Sequence, residues 1–135
     1  MSAAVFFDTN ILLYLFMEDG RRTPVAEELI VQGGVVSVQV LNELVSVARG
    51  KLKMSWEQVR IIRDKTLILL PNLLPLTEET HRLAVDLSRR HGFNIYDSLI
   101  VAAATQAGCT TLYTEDMQHG LTIGKLTIVN PFLAR

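Results

Sequence analysis

The chain has 135 residues, 49% of them hydrophobic and 20% charged, with a formal net charge of −1. That length predicts one domain spanning residues 1–135; the composition excludes a disordered chain, and the charge balance excludes a uniformly basic nucleic-acid-wrapping surface but not local Arg and Lys contacts to phosphate. The apolar segments are too short or too interrupted to span a bilayer, and the N-terminus lacks a signal-peptide pattern, so a cytoplasmic protein with no membrane partner is expected.

Ala3-Ala4-Val5-Phe6-Phe7 is apolar without alternation, the pattern of a central parallel strand buried on both faces. Asp8 ends it, followed by Thr9-Asn10. Ile11 to Met17 reads as a short helix. Thr23-Pro24 supplies an N-cap followed by proline at the first helical position, opening a helix that ends at Gly33-Gly34, after which Val35 to Ser37 reads as a second strand. From Val38, the spacing Val38, Leu41, Val45, Ala48 marks the apolar face of a helix and Gln39, Asn42, Glu43, Ser46, Arg49 its polar face, with Gly50 at the end.

Ser55-Trp56-Glu57-Gln58 is a capping-box pattern opening another helix, whose exit Pro71 and Pro75 bracket. Thr77 can cap the next, with Leu83, Ala84 and Leu87 inward and Arg82, Arg89 and Arg90 outward; Gly92 stops it. Ile95 to Ala107 is apolar apart from Asp97, Ser98, Thr105 and Gln106, which suits a buried helix. Cys109, after Gly108, reads as a small core residue. Thr110 to Thr114 and Leu126 to Val129 are the last strands. This alternation predicts an α/β fold, a three-layer α/β/α sandwich around a short, mostly parallel sheet of four or five strands.

Of the 14 acidic residues, four follow a strand or open a helix: Asp8, Glu43, Asp97 and Asp116. Open α/β sheets place ligands at the carboxyl ends of their strands. Each acid also has a plainer reading. Asp8 can cap a helix, Glu43 lies on a polar helical face, Asp97 completes a capping box with Asn94, and Asp116 competes with Glu115. Four carboxylates on one rim would repel one another without a counter-charge, and oxygen-only ligands suit Mg²⁺ or Mn²⁺. Zinc is disfavoured, because His81, His91 and His119 show no ligand spacing and Cys109 is alone. Such a site suits phosphodiester hydrolysis with water as nucleophile, leaving 5′-phosphate and 3′-hydroxyl ends. Arg21-Arg22, Arg49-Lys51-Lys53 and Arg89-Arg90 are candidate phosphate contacts; no aromatic stacking platform is evident.

Asp8-Thr9-Asn10, Glu43 within VLNEL, Asp97 within YDSLIVAAA and Thr114-Glu115-Asp116, with the stretches LYTEDMQHG and IVNPF, together resemble the PIN-domain ribonuclease family over essentially the whole chain. The likeness is to its small VapC-type members, toxins of type II toxin–antitoxin pairs. The resemblance implies a metal-dependent endoribonuclease that arrests translation, with Asp8, Glu43, Asp97 and Asp116 as catalytic, Mg²⁺- or Mn²⁺-binding acids. Thr114 would be a polar helper, Thr9 and Asn10 would shape the first loop, and Glu115 would lie outside the ligand set. It also implies an RNA substrate, a cognate antitoxin and a homodimer. The alternatives are a PIN-type RNA-processing nuclease without a toxin role and an acidic-site binding module. An aspartyl-nucleophile phosphatase is disfavoured, since its pattern wants a second Asp where Asn10 stands.

Overall fold

The computed structural model describes residues 5–133, so Ala3 and Ala4 of the first predicted strand lie outside the described residues. Strand β1 (Val5–Phe7) is central, with Phe6 and Phe7 wholly buried. Along one edge it pairs in parallel with β4 (Thr111–Tyr113), Phe7 opposite Tyr113. Along the other, a parallel bridge joins Phe6 to Val35, just before β2 (Val36–Ser37). Gly34 permits that approach, because a Cβ there would lie 2.5 Å from the Phe7 ring and 3.0 Å from the Val5 carbonyl oxygen.

Strand β4 pairs in parallel with β6 (Leu126–Val129), which carries β5 (Thr122–Ile123) antiparallel on its far edge. Strand β2 pairs in parallel with β3 (Leu73–Leu74). Among the described residues the main sheet, in the order β1-β4-β6-β5, is short, mostly parallel and four-stranded, within the four or five strands expected; β2 and β3 form a separate two-stranded parallel pair, and β3 and β5 are strands the sequence did not announce. Two residues each are too few to show a period in sequence.

Six helices flank the sheet among the described residues: α1 (Thr9–Leu13), α2 (Arg22–Val31), α3 (Val38–Gly50), α4 (Trp56–Leu69), α5 (Glu78–His91) and α6 (Ile95–Gln106). The predicted caps hold at three of them. Ser55 and Gln58 form the capping box of α4, Thr77 caps α5, Asn94 caps α6, and left-handed Gly92 ends α5. No helix among the described residues is long and apolar enough to cross a membrane.

Two local expectations are corrected. Thr23 does not cap α2: its hydroxyl lies 2.7 Å from the Tyr14 carbonyl oxygen, and the Asp19 carboxylate accepts from the Arg21 and Arg22 N–H groups instead. Pro24 is thus the third helical residue, still within the turn that needs no intrahelical donor. The buried side of α3 is Val40, Leu41, Leu44 and Ala48 together with Gln39, while Val38 and Val45 are half-buried. The reason is a second core: α3 packs Leu41, Leu44 and Ala48 against Leu13 of α1 and Val59 and Ile62 of α4, rotating its face from the simple apolar count.

Candidate active site

The strand register builds the centre of the site. With Phe7 opposite Tyr113, the next residues along are Asp8 and Thr114, and the Asp8 N–H extends the ladder by donating to the Tyr113 carbonyl oxygen at 3.0 Å. Asp8 is 3% exposed. Its Oδ1 caps α1 by accepting from the Thr9 N–H at 2.7 Å, while Oδ2 accepts from the Thr114 hydroxyl at 2.8 Å and from the Asn10 amide at 3.3 Å. Cap and site candidate are therefore one carboxylate using different oxygens.

Glu43, on α3, is not a solvated surface acid. Its Oε1 accepts from the Thr9 hydroxyl at 3.2 Å and its Oε2 from the buried Gln39 amide at 3.0 Å. Asp97 sits in the first turn of α6, where its N–H donates to Asn94 Oδ1 at 2.9 Å and its Oδ2 accepts from Asn94 Nδ2 at 3.2 Å. Asp116 follows β4; its N–H donates to Thr114 Oγ1 at 3.1 Å and its Oδ2 accepts from Asn10 at 3.0 Å. Glu115 turns the other way, to the Tyr14 hydroxyl and to Arg22 Nε at 3.0 Å. Asp116, not its neighbour, is the acid tied to Asp8 through Asn10 and Thr114.

Burial pushes the Asp8 carboxyl up to about 7, hydrogen bonds from Thr114 and Thr9 oppose it, and the charges of Glu43 and Asp97 add to the rise. Asp97 is raised too, by burial first and then by Glu43 and Asp116. The four acids therefore share one electrostatic neighbourhood. Ion pairs of the described residues lie elsewhere and reach none of the four. Neutral Thr, Asn and Gln donors hold them, so their charge is uncompensated. Among the described residues no three acidic, His or Cys side chains are grouped closely enough to grip one ion together. This donor set, oxygen-only and spread out, fits a hard cation that retains several waters, such as Mg²⁺ or Mn²⁺.

Glu43 and Asp97 open onto a groove of about 560 Å³, walled by Gln39, Asn42 and Ser46 of α3 and by Asn94 and Tyr96 beside Asp97. Sequence reasoning placed Gln39 on the solvent face and passed over Tyr96, whose adjacency to Asp97 was the available signal. Most of the predicted phosphate contacts are engaged otherwise. Arg22 pairs with Asp19 and Glu115, Arg21 donates to the Phe132 carbonyl, Arg89 and Arg90 pair with Asp86, and Arg49 lies over the Trp56 ring. Lys51 and Lys53 are exposed and unpaired among the described residues.

A mostly parallel α/β/α domain with its acids gathered at the carboxyl ends of its strands and the helix starts beside them defines the class. Within that class, the family model for the PIN domain matches residues 5–120. The chain belongs to the PIN-domain family. No curated protein matches its sequence.

Among solved structures, a toxin–antitoxin complex from Klebsiella pneumoniae aligns with a TM-score of 0.72 at 21% identity, covering 95% of this chain and 98% of that one. A sarcin–ricin-loop-cleaving toxin of Mycobacterium tuberculosis aligns at 0.67 and 16% identity, covering 83% and 89%. VapBC2 from Rickettsia felis, bound to a promoter DNA fragment, aligns at 0.66 and 22% identity, covering 92% and 96%. At these identities the likeness is one of fold.

Proposed function

We propose that this PIN domain is a Mg²⁺- or Mn²⁺-dependent endoribonuclease, the toxin of a type II toxin–antitoxin pair, acting in the cytoplasm as a homodimer to arrest translation. The observation that carries the proposal is the shared electrostatic neighbourhood of Asp8, Glu43, Asp97 and Asp116, raised in proton affinity at Asp8 and Asp97 and, among the described residues, reached by no ion pair. These four residues would hold the ion. Bound there, it would offset their repulsion, lower the pKa of a water and counter the charge growing on the phosphate.

The chain's own part is positional. Thr114 and Asn10 fix Asp8 and Asp116, Thr9 and Gln39 fix Glu43, and Asn94 fixes Asp97. With water as the nucleophile, the products carry 5′-phosphate and 3′-hydroxyl ends. Solved neighbours described as a toxin–antitoxin complex and as a sarcin–ricin-loop-cleaving toxin support the biological reading. An antitoxin is further supported by a largely apolar groove between α2 and α4, where Val31, Ile68 and Leu69 are exposed and Glu27 and Lys65 are the charged lining residues, which suits a protein partner better than RNA.

The test is cleavage of cellular RNA by purified protein with Mn²⁺, Mg²⁺ or chelator, with chemical identification of the new ends. Cleavage that survives chelation, or ends bearing 2′,3′-cyclic phosphate, would overturn the mechanism. Growth arrest on expression, relieved by a protein encoded next to this one, tests the toxin role.

A further inference from the structure

We propose that the groove beside the acid cluster is a nucleobase subsite, in which the Tyr96 ring stacks on an unpaired base while Asn42 and Ser46 face its hydrogen-bonding edge. This deepens the ribonuclease reading and rests on it, naming single-stranded or looped RNA as the substrate class.

Tyr96 is 61% exposed, on the residue next to Asp97, and among the described residues its ring has no aromatic or cationic partner. Leaving so large a ring in water forgoes its burial energy, so its position on the wall of a groove shared with Glu43 and Asp97 bears on function. Lining the same groove, Asn42 and Ser46 are four residues apart on α3, hence on one face, and both are exposed. Their side chains hydrogen-bond to no other described residue. By contrast, Gln39 and Asn94 on the same walls are spent on holding Glu43 and Asp97.

The chemistry of the walls selects the occupant. Among the described residues no Lys or Arg lines the groove, so a phosphate would meet only carboxylates and neutral dipoles there. A flat, neutral group with donors and acceptors at its edge fits: an aromatic face, an amide that can pair with an adenine-like edge, and a hydroxyl that accepts or donates. The volume of about 560 Å³ lies within the usual range of small-ligand sites, about 300–1,000 Å³. A base inside a duplex presents no open face, so the site discriminates by strandedness before it discriminates by sequence.

The probe is a fluorescently labelled, random-sequence single-stranded RNA, titrated by anisotropy in Ca²⁺ against wild type, Tyr96→Ala, Tyr96→Phe and Asp97→Asn, with cleavage in Mn²⁺ measured in parallel. Tyr96→Ala is expected to weaken binding about 5- to 100-fold and raise KM more than it lowers kcat, while Tyr96→Phe stays within about 2-fold of wild type. Asp97→Asn is expected to bind and not cleave. Equal binding by Tyr96→Ala and wild type overturns the subsite while wild-type cleavage leaves the nuclease standing. Cleavage by wild type of neither this RNA nor cellular RNA overturns both. Duplex RNA competing as well as single strands overturns the subsite, as does a Tyr96→Ala protein that loses only self-association on light scattering, which marks a protein contact instead.

Discussion

The Thr114 hydroxyl donates to Asp8 Oδ2 at 2.8 Å, side by side at the ends of two paired parallel strands. That oxygen of Thr114 also receives the Asp116 N–H and the Asn10 amide, so one hydroxyl ties two of the four acids to the sheet. Thr114→Val keeps the shape and removes the tie. It is expected to weaken Mn²⁺ binding and cleavage by about 10- to 100-fold, with Thr114→Ser recovering most of both. Calorimetric titration with the metal checks the first and gel-based cleavage the second.

Asp8 makes the metal-free protein pH-sensitive. Its carboxyl titrates at about 7 in the folded chain against an ordinary 3.8, so the folded state holds the proton more tightly between those values. Its contribution to stability is therefore full below about pH 4, falls as pH rises through about 7, and amounts to a loss on the order of 4 kcal/mol at most. Melting temperatures of wild type and Asp8→Asn, measured in chelator from pH 5 to 8, should converge at the acid end and separate at the alkaline end. Parallel curves would refute this.

Asp8→Asn and Asp97→Asn should each abolish cleavage, by more than about 100-fold, yet raise the stability of the metal-free protein at pH 8, because each removes one like charge, buried at Asp8 and half-buried at Asp97. Mn²⁺ should reverse the order, stabilising wild type and not the variants. Lower melting temperatures for both metal-free variants would remove the repulsion argument.

Some of this was legible in the residues and some was not, for identifiable reasons. Asp8 showed because an unalternating apolar run ended on a charge, and Asp97 because it interrupts an otherwise apolar helix. Glu43 did not, since its helical face is polar in sequence and only the packing of α3 on α1 and α4 turns Gln39 and Glu43 toward the site. Thr23-Pro24 mimicked a cap that the Asp19 carboxylate provides from four residues upstream of Thr23. The edge strands β3 and β5 exist through pairing, which a two-residue segment does not announce.

Arg22 bridges Asp19 and Glu115 while lying over the rings of Tyr14 and Phe132. The ion pairs are partly exposed and contribute little by themselves; the packing on the two rings adds to that. Arg22→Ala should lower the melting temperature and, by removing a cation and freeing the Glu115 carboxylate beside Asp116, lower the metal concentration needed for half-maximal cleavage. Arg22→Lys should restore only part of either, because it lacks the planar fork. Thermal melts and metal titration of activity check both.

Ile68 and Val31 are largely exposed on the apolar groove between α2 and α4. Ile68→Asp should leave RNA cleavage within about 2-fold of wild type, since surface changes away from the core are mild, while preventing rescue by the neighbouring-encoded partner. Co-expression growth assays read the second effect. Rescue that persists moves the partner surface elsewhere.

The Asn10 amide nitrogen faces three oxygens, on Asp8, Thr114 and Asp116, while the far end of the same amide is pinned by the Glu115 N–H. It has only two hydrogens to share among them. One acceptor is always left waiting, and Asp116, at the exposed end of the trio, is the one that can turn away with no buried group orphaned. On the proposed metal-dependent reading, Asn10 would therefore work as a placeholder, keeping the acids in register and yielding at small cost to a stronger positive charge.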